Sequence, residues 1–93
     1  MSRRFVILTH SASAIEQQAI RGALGTLGWW HHLPQSWLVI DPSESVTLVS
    51  LRDKIIAAAP SMTFYILEIP VGSTWGGKAP VHMREWLDTE WVK

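Results

Sequence analysis

Histidines, carboxylates and tryptophans are the residues of this 93-residue chain whose chemistry has to be weighed first. His10 closes a short apolar run, Phe5 to Thr9. An imidazole at that point, near the middle of a subunit interface, suits the role of acid, base or ligand. Asp41 and Glu68 are its candidate carboxylate partners. Beside Thr9 and Ser11, a hydrogen-bonded structural histidine is the competing reading. His31 and His32 are adjacent, so on a strand they point to opposite faces and do not share one ion. His82 stands one helical turn before Glu85 and Trp86 and reads as a surface residue. No histidine pair has the spacing of a zinc site. Zero cysteines exclude a disulfide scaffold, thiol catalysis and Cys-ligated metals.

Gly72-Ser73-Thr74-Trp75-Gly76-Gly77-Lys78 satisfies the pattern G-x-x-x-x-G-K of a phosphate-binding loop. That chemistry needs a hydroxyl after the lysine, where Ala79 stands, and Pro80 has no N–H to offer. Too little chain follows for the βαβ unit that houses such a loop, so the segment reads as a connector. Six tryptophans (Trp29, Trp30, Trp37, Trp75, Trp86 and Trp91) are the one outlier in composition. Stacking on nucleic-acid bases is one use for them, worth about 1–3 kcal/mol per base. Sealing a sheet face and a subunit interface is the other. Packing is preferred, because stacking platforms sit in positive grooves, whereas here eight Lys and Arg balance eight Asp and Glu. A dimer doubles any local basic edge, however, so phosphate contacts stay open. The residues singled out for an interface or for nucleic acid are Trp29, Trp30, His31, His32, Trp37, Arg52 and Lys78.

These side chains must be carried by a small set of elements. Phe5 to Thr9 reads as a buried strand. Ser13 and Glu16 form a capping box ahead of an apolar stripe at Ile15, Ala19, Ile20, Ala23, Leu24 and Leu27. Gly25 and Gly28 are the natural stops. Trp29 to Leu33 and Ser36 to Ile40 flank Pro34-Gln35 as a hairpin. This puts Trp29 and His31 on one face, Trp30 and His32 on the other. After the loop Asp41 to Ser45, a second helix over about residues 45–59 turns Leu48, Leu51, Ile55 and Ala58 or Ala59 inward, and Arg52, Asp53 and Lys54 outward. Met62 to Ile69 is a fourth strand. Pro80 opens a last helix to about Trp91, with Trp86, Leu87 and Trp91 inward.

The order β-α-β-β-α-β with a C-terminal helical tail predicts an α+β, ferredoxin-like fold. Four antiparallel strands carry both helices on one face. Solvent, the tail or a second subunit must meet the other face. One domain is expected, with its core over about residues 4–70 and a tail over about 71–93. A hydrophobic fraction of 47% and a charged fraction of 17% suit a small soluble domain with a modest core. No apolar run approaches a membrane span. The stretch before Thr9-His10-Ser11 is too short for a signal peptide, so a cytoplasmic protein is expected.

Gly28-Trp29-Trp30-His31-His32-Leu33 with Ser36-Trp37-Leu38-Val39-Ile40 resembles the tryptophan hairpin of the small bacterial proteins labelled SinR family. Leu51-Arg52-Asp53-Lys54-Ile55 resembles their second-helix segment. Trp75-Gly76-Gly77 with Glu85-Trp86-Leu87 is similar to their tail. The likeness runs in blocks from about residue 26 onward. It implies an architecture similar to the CRISPR-associated Cas-two and virulence-associated D families, which are ferredoxin-like dimers, several of them metal-dependent nucleases. Those nucleases place an aspartate just after the first strand, whereas this chain has Leu8-Thr9-His10-Ser11. The hard oxygen ligand that a Mg²⁺ or Mn²⁺ site wants is therefore missing there.

The expectation is a non-catalytic homodimer that acts through protein or nucleic-acid contacts, with no membrane involved. Two alternatives stand beside it. One is a residual nuclease using Mg²⁺ or Mn²⁺ with His10 as its catalytic residue, and the other is small-ligand binding on the open sheet face.

Overall fold

The computed structural model describes residues 2–70 and 72–91. Of the predicted tail, Val71 and the last two residues lie outside that range. The elements are β1 (Arg3–Thr9), α1 (Ala14–Leu24), β2 (Gly28–Trp30), β3 (Ser36–Asp41), α2 (Leu48–Ala58), β4 (Phe64–Ile69) and α3 (Val81–Trp86), followed by a π-helical segment, Leu87–Trp91. The strands form one antiparallel sheet in the order β2-β3-β1-β4. This is the ferredoxin-like arrangement, with the two strands that precede the helices at its centre.

Period-two alternation sorts the sheet into two faces. Phe5 and Ile7 of β1, Trp37 and Val39 of β3, and Phe64 and Ile66 of β4 turn toward the helices. There they meet Ile20 and Leu24 of α1 and Leu51 and Ile55 of α2. Each fully buried side chain of this kind contributes about 1.5–3 kcal/mol. Val6, Leu38, Ile40 and Ile69 turn to the other face, where Trp75, Met83, Trp86, Leu87 and Trp91 of the tail cover them. The tail thus covers part of the face for which the sequence left three candidates.

Several boundaries moved, each for a local reason. The Ser13–Glu16 capping box forms as expected and α1 stops at Gly25, whose φ of 55° is left-handed. Ile15, expected inward, is 82% exposed. It lies about 140° around the helix from Ile20, off the buried stripe. Helix α2 starts later than predicted, because a second box joins Thr47 and Ser50, and Asp41 holds the chain before it in a loop. Of its two candidate alanines, Ala59 is buried and Ala58 is exposed. β2 is only three residues long, since His31 turns out of the ladder to stack on Trp37. The predicted face assignment nevertheless holds: Trp29 joins the helix-side core, and Trp30 tilts against Trp86 on the tail side at 6.1 Å. Gly28 is needed where β2 begins, for a Cβ there would meet Ile40 Cγ2 at 2.7 Å.

Three groups fasten the ends. Buried Arg4 donates to the carbonyls of Trp91 (3.0 Å), Pro70 (2.6 Å) and Ser73 (3.4 Å), pinning the tail to β1. Buried Asp41 accepts from Ser43 Oγ (2.7 Å), Ser43 N (3.2 Å) and Val46 N (2.7 Å). Burial raises its pKa, but the Ser43 hydroxyl and the backbone donors of Val46, Ser43 and Ser45 outweigh that and hold it below the usual carboxylate range. Gln35 Oε1 accepts from Thr9 Oγ1 (2.5 Å) and Ala12 N (2.7 Å), tying the hairpin to the loop that carries His10. No helix is long and apolar enough to cross a membrane among the described residues.

Candidate functional site

The residues weighed for catalysis are far apart. His10 follows β1, its backbone N–H donating to Thr63 O at 3.0 Å. Its ring is exposed and has no partner among the described residues. Asp41 pairs with Arg3 at the opposite end of β1, so about 20 Å of strand separates the two at ~3.3 Å per residue. Asp41 already spends its oxygens on the Ser43–Val46 loop. Glu68 lies at the same far end, in an ion pair with Arg3 at 3.5 Å. A single chain therefore brings His10 to neither carboxylate. No group of three or more His, Asp or Glu side chains is placed to share a metal ion among the described residues.

The hairpin residues divide between core and rim. Trp37 is fully buried and stacks on His31 with ring centroids 4.0 Å apart. Arg21, which can only donate, reaches His31 Nδ1 at 3.0 Å. The proton therefore belongs on Nε2, which donates to Pro34 O at 2.9 Å. His31 is thus a stacked cover over the core. Trp29 and Trp30 are half-buried in packing on opposite faces. Exposed Arg52 pairs with its neighbour Asp53 at 3.1 Å. Among the singled-out residues, His32 and Lys78 are the two that share a surface feature.

That feature is a groove of about 340 Å³ on the tail side of the sheet. Val6, Leu38 and Ile69 of the sheet form its floor, and Met83, Leu87 and Trp91 of the tail line it together with the connector Thr74–Ala79. The Trp75 indole is fixed there by donating Nε1–H to Asp88 Oδ1 at 3.1 Å. The segment carrying the G-x-x-x-x-G-K pattern is thus the lip of an apolar groove.

The second feature, which the sequence did not single out, is the outer edge of β4, which pairs with no further strand among the described residues. Backbone parity fixes what this edge presents. His10 N–H bonds Thr63 O, and antiparallel pairs alternate between bonded and unbonded. Tyr65, Leu67 and Ile69 therefore direct their N–H and C=O groups at β1, while Phe64, Ile66 and Glu68 direct theirs outward. Apolar side chains flank this edge on both faces. Tyr65 (69% exposed), Leu67 (53%) and Leu8 lie on the tail side, and Ile56 of α2 lies on the helix side. A shallow trough between α2 and β4, lined by Leu48, Arg52, Ile56 and Phe64, runs beside it. Period-two alternation marks these β4 positions, but only the strand order reveals that their strand is an edge. No family model matches the chain, and comparison with curated proteins and with solved structures gives no match either.

Proposed function

We propose that the protein is a non-catalytic, homodimeric ferredoxin-like domain that works by contact, two copies joining along β4. The β4 edge, unpaired among the described residues and flanked by exposed Tyr65, Leu67, Leu8 and Ile56, carries this reading. Natural edge strands are kept apart by lysine, proline, bulges or a covering element. β4 has no lysine and no proline within its span, and its one charge, Glu68, is drawn to Arg3.

An antiparallel strand is complementary to itself about a two-fold axis, the commonest symmetry of protein dimers. The parity of β4 selects the register. With the axis at Ile66, Ile66 pairs with its copy and Phe64 with Glu68 of the second chain, all through outward-facing backbone groups. Tyr65 then faces Leu67 across an unbonded pair, where side chains lie closest and aromatic–aliphatic contacts add about 0.2–1 kcal/mol each. The result is a continuous eight-stranded sheet.

The likeness to the SinR-labelled proteins belongs to this proposal, as does a cytoplasmic setting, which suits a cysteine-free chain. Light scattering on the eluting protein tests it. The wild type is expected as a dimer at micromolar concentration, and Leu67→Lys, which sets a charge against Tyr65 of the other copy, weakens dimerisation at least tenfold. A strict monomer, or a dimer indifferent to Leu67→Lys, overturns the reading. Incubation with RNA and DNA in Mg²⁺ or Mn²⁺ tests the nuclease alternative, which cleavage abolished by His10→Ala would put in its place.

A further inference from the structure

We infer that the groove beneath the Thr74–Ala79 connector is a binding site for an amphipathic monoanion, an apolar chain or ring ending in one carboxylate. Its size, about 340 Å³, falls within the roughly 300–1,000 Å³ of small-molecule sites. The lining is built as such sites are, mostly apolar with a few polar side chains, here Lys78, His32 and Thr74. Val6, Leu38 and Ile69 supply a surface on which a hydrocarbon body displaces water.

Charge decides which amphiphile fits. Lys78 lines the groove, is exposed, and has no acidic partner among the described residues. Among the described residues no carboxylate lines the groove, and Asp88, which accepts from the Trp75 indole, is not in the lining. His32, also in the lining, offers a ring N–H as a further donor. An ammonium head would meet Lys78 and be repelled. A neutral head would forgo the charge-assisted bond that a carboxylate makes. The backbone N–H groups of Gly76 and Gly77 carry no side chains beside them, leaving the lip open to a head group.

This site does not depend on β4 pairing, because no β4 residue except Ile69 lines it. Octanoate, 1-octanol and octylammonium are the probes, titrated into the full chain. The readout is the ¹H–¹⁵N signal of the Trp75 indole, assigned by its disappearance in Trp75→Phe. Octanoate is expected to shift that signal saturably and to bind about five- to tenfold tighter than octanol, as one charge-assisted bond at an exposed margin allows. Octylammonium is expected to bind weakest. Lys78→Gln brings octanoate down to the octanol affinity with the fold unchanged by circular dichroism. Val6→Phe, which fills the floor, abolishes binding of both while the protein stays folded. Leu67→Lys leaves octanoate binding unchanged, which separates this site from the dimer. Equal affinity for the three probes, indifference to Lys78→Gln, or no saturable shift at Trp75 overturns the proposal.

Discussion

The Arg4 guanidinium lies 5.6 Å from the centre of the Trp91 ring and donates to the Trp91 carbonyl at 3.0 Å. One buried cation on the first strand thereby holds the π-helical turn at Trp91 against the sheet. Two further carbonyls, of Pro70 and Ser73, complete its shell. The tail that roofs the groove is fastened where the chain leaves β4 and again at Trp91.

Arg4→Ala is therefore expected to be among the most damaging single changes. It leaves three carbonyl acceptors, one of them in a buried bond, without their donor and removes the stem that packs against Trp91, a loss of about 3 kcal/mol. Urea unfolding measures it, and limited proteolysis is expected to cut first within the Gly72–Lys78 connector. Arg4→Lys rescues only part of the loss, since an ammonium does not reproduce the planar fork.

Asp41 gives the stability a defined acid dependence. Its folded pKa lies below that of an unfolded aspartate, which is about 3.9. Its hydrogen bonds therefore stabilise fully above that value and are lost as the pH falls through it toward the folded pKa. Asp41→Asn is expected to cost about 1–3 kcal/mol at neutral pH. In urea titrations the gap to the wild type closes below about pH 4 and stays constant between about pH 5 and 7.

Trp37 Nε1 is buried without a hydrogen-bond partner among the described residues. Its stability comes from ring area and from stacking against His31, offset by the unpaired N–H, a group that costs about 1–3 kcal/mol when buried alone. Trp37→Phe, which keeps an aromatic ring and drops the N–H, is expected to stay within about 1 kcal/mol of the wild type. Trp37→Ala is expected to lose about 3–5 kcal/mol. Thermal unfolding of the pair distinguishes the two contributions.

The element order was legible because its signals are local. Ser13 with Glu16 marks a helix start, Gly25 a stop, and alternation about Phe5, Ile7, Trp37 and Val39 marks buried strands. What could not be read was set by contacts distant in sequence. Arg4 looks like one of several scattered cations until Trp91 and Pro70 are folded onto it. Asp41 is readable as a loop residue, but its capture of Val46 N–H, which delays α2, depends on the loop closing. His31 leaves the ladder because Trp37, Arg21 and Pro34 offer it more than β3 does. The interface candidates were drawn to the hairpin by its indoles, two of which, Trp29 and Trp37, pack on the helix-side core. The exposed apolar residues of β4 look ordinary, because alternation does not say which strand lies at an edge.

Disulfide trapping at Ile66 tests the two-fold pairing of β4 most directly, and the absence of any native cysteine makes each introduced thiol unique. In the register that the parity of β4 selects, Ile66 and its copy form a bonded pair with Cα atoms about 5.5 Å apart, inside the range a disulfide spans. Oxidised Ile66→Cys is predicted to run almost wholly as a covalent dimer on a non-reducing gel, while Gln18→Cys on the exposed side of α1 stays monomeric. An Ile66→Cys protein that stays monomeric, or cross-links no faster than Gln18→Cys, would contradict β4 pairing.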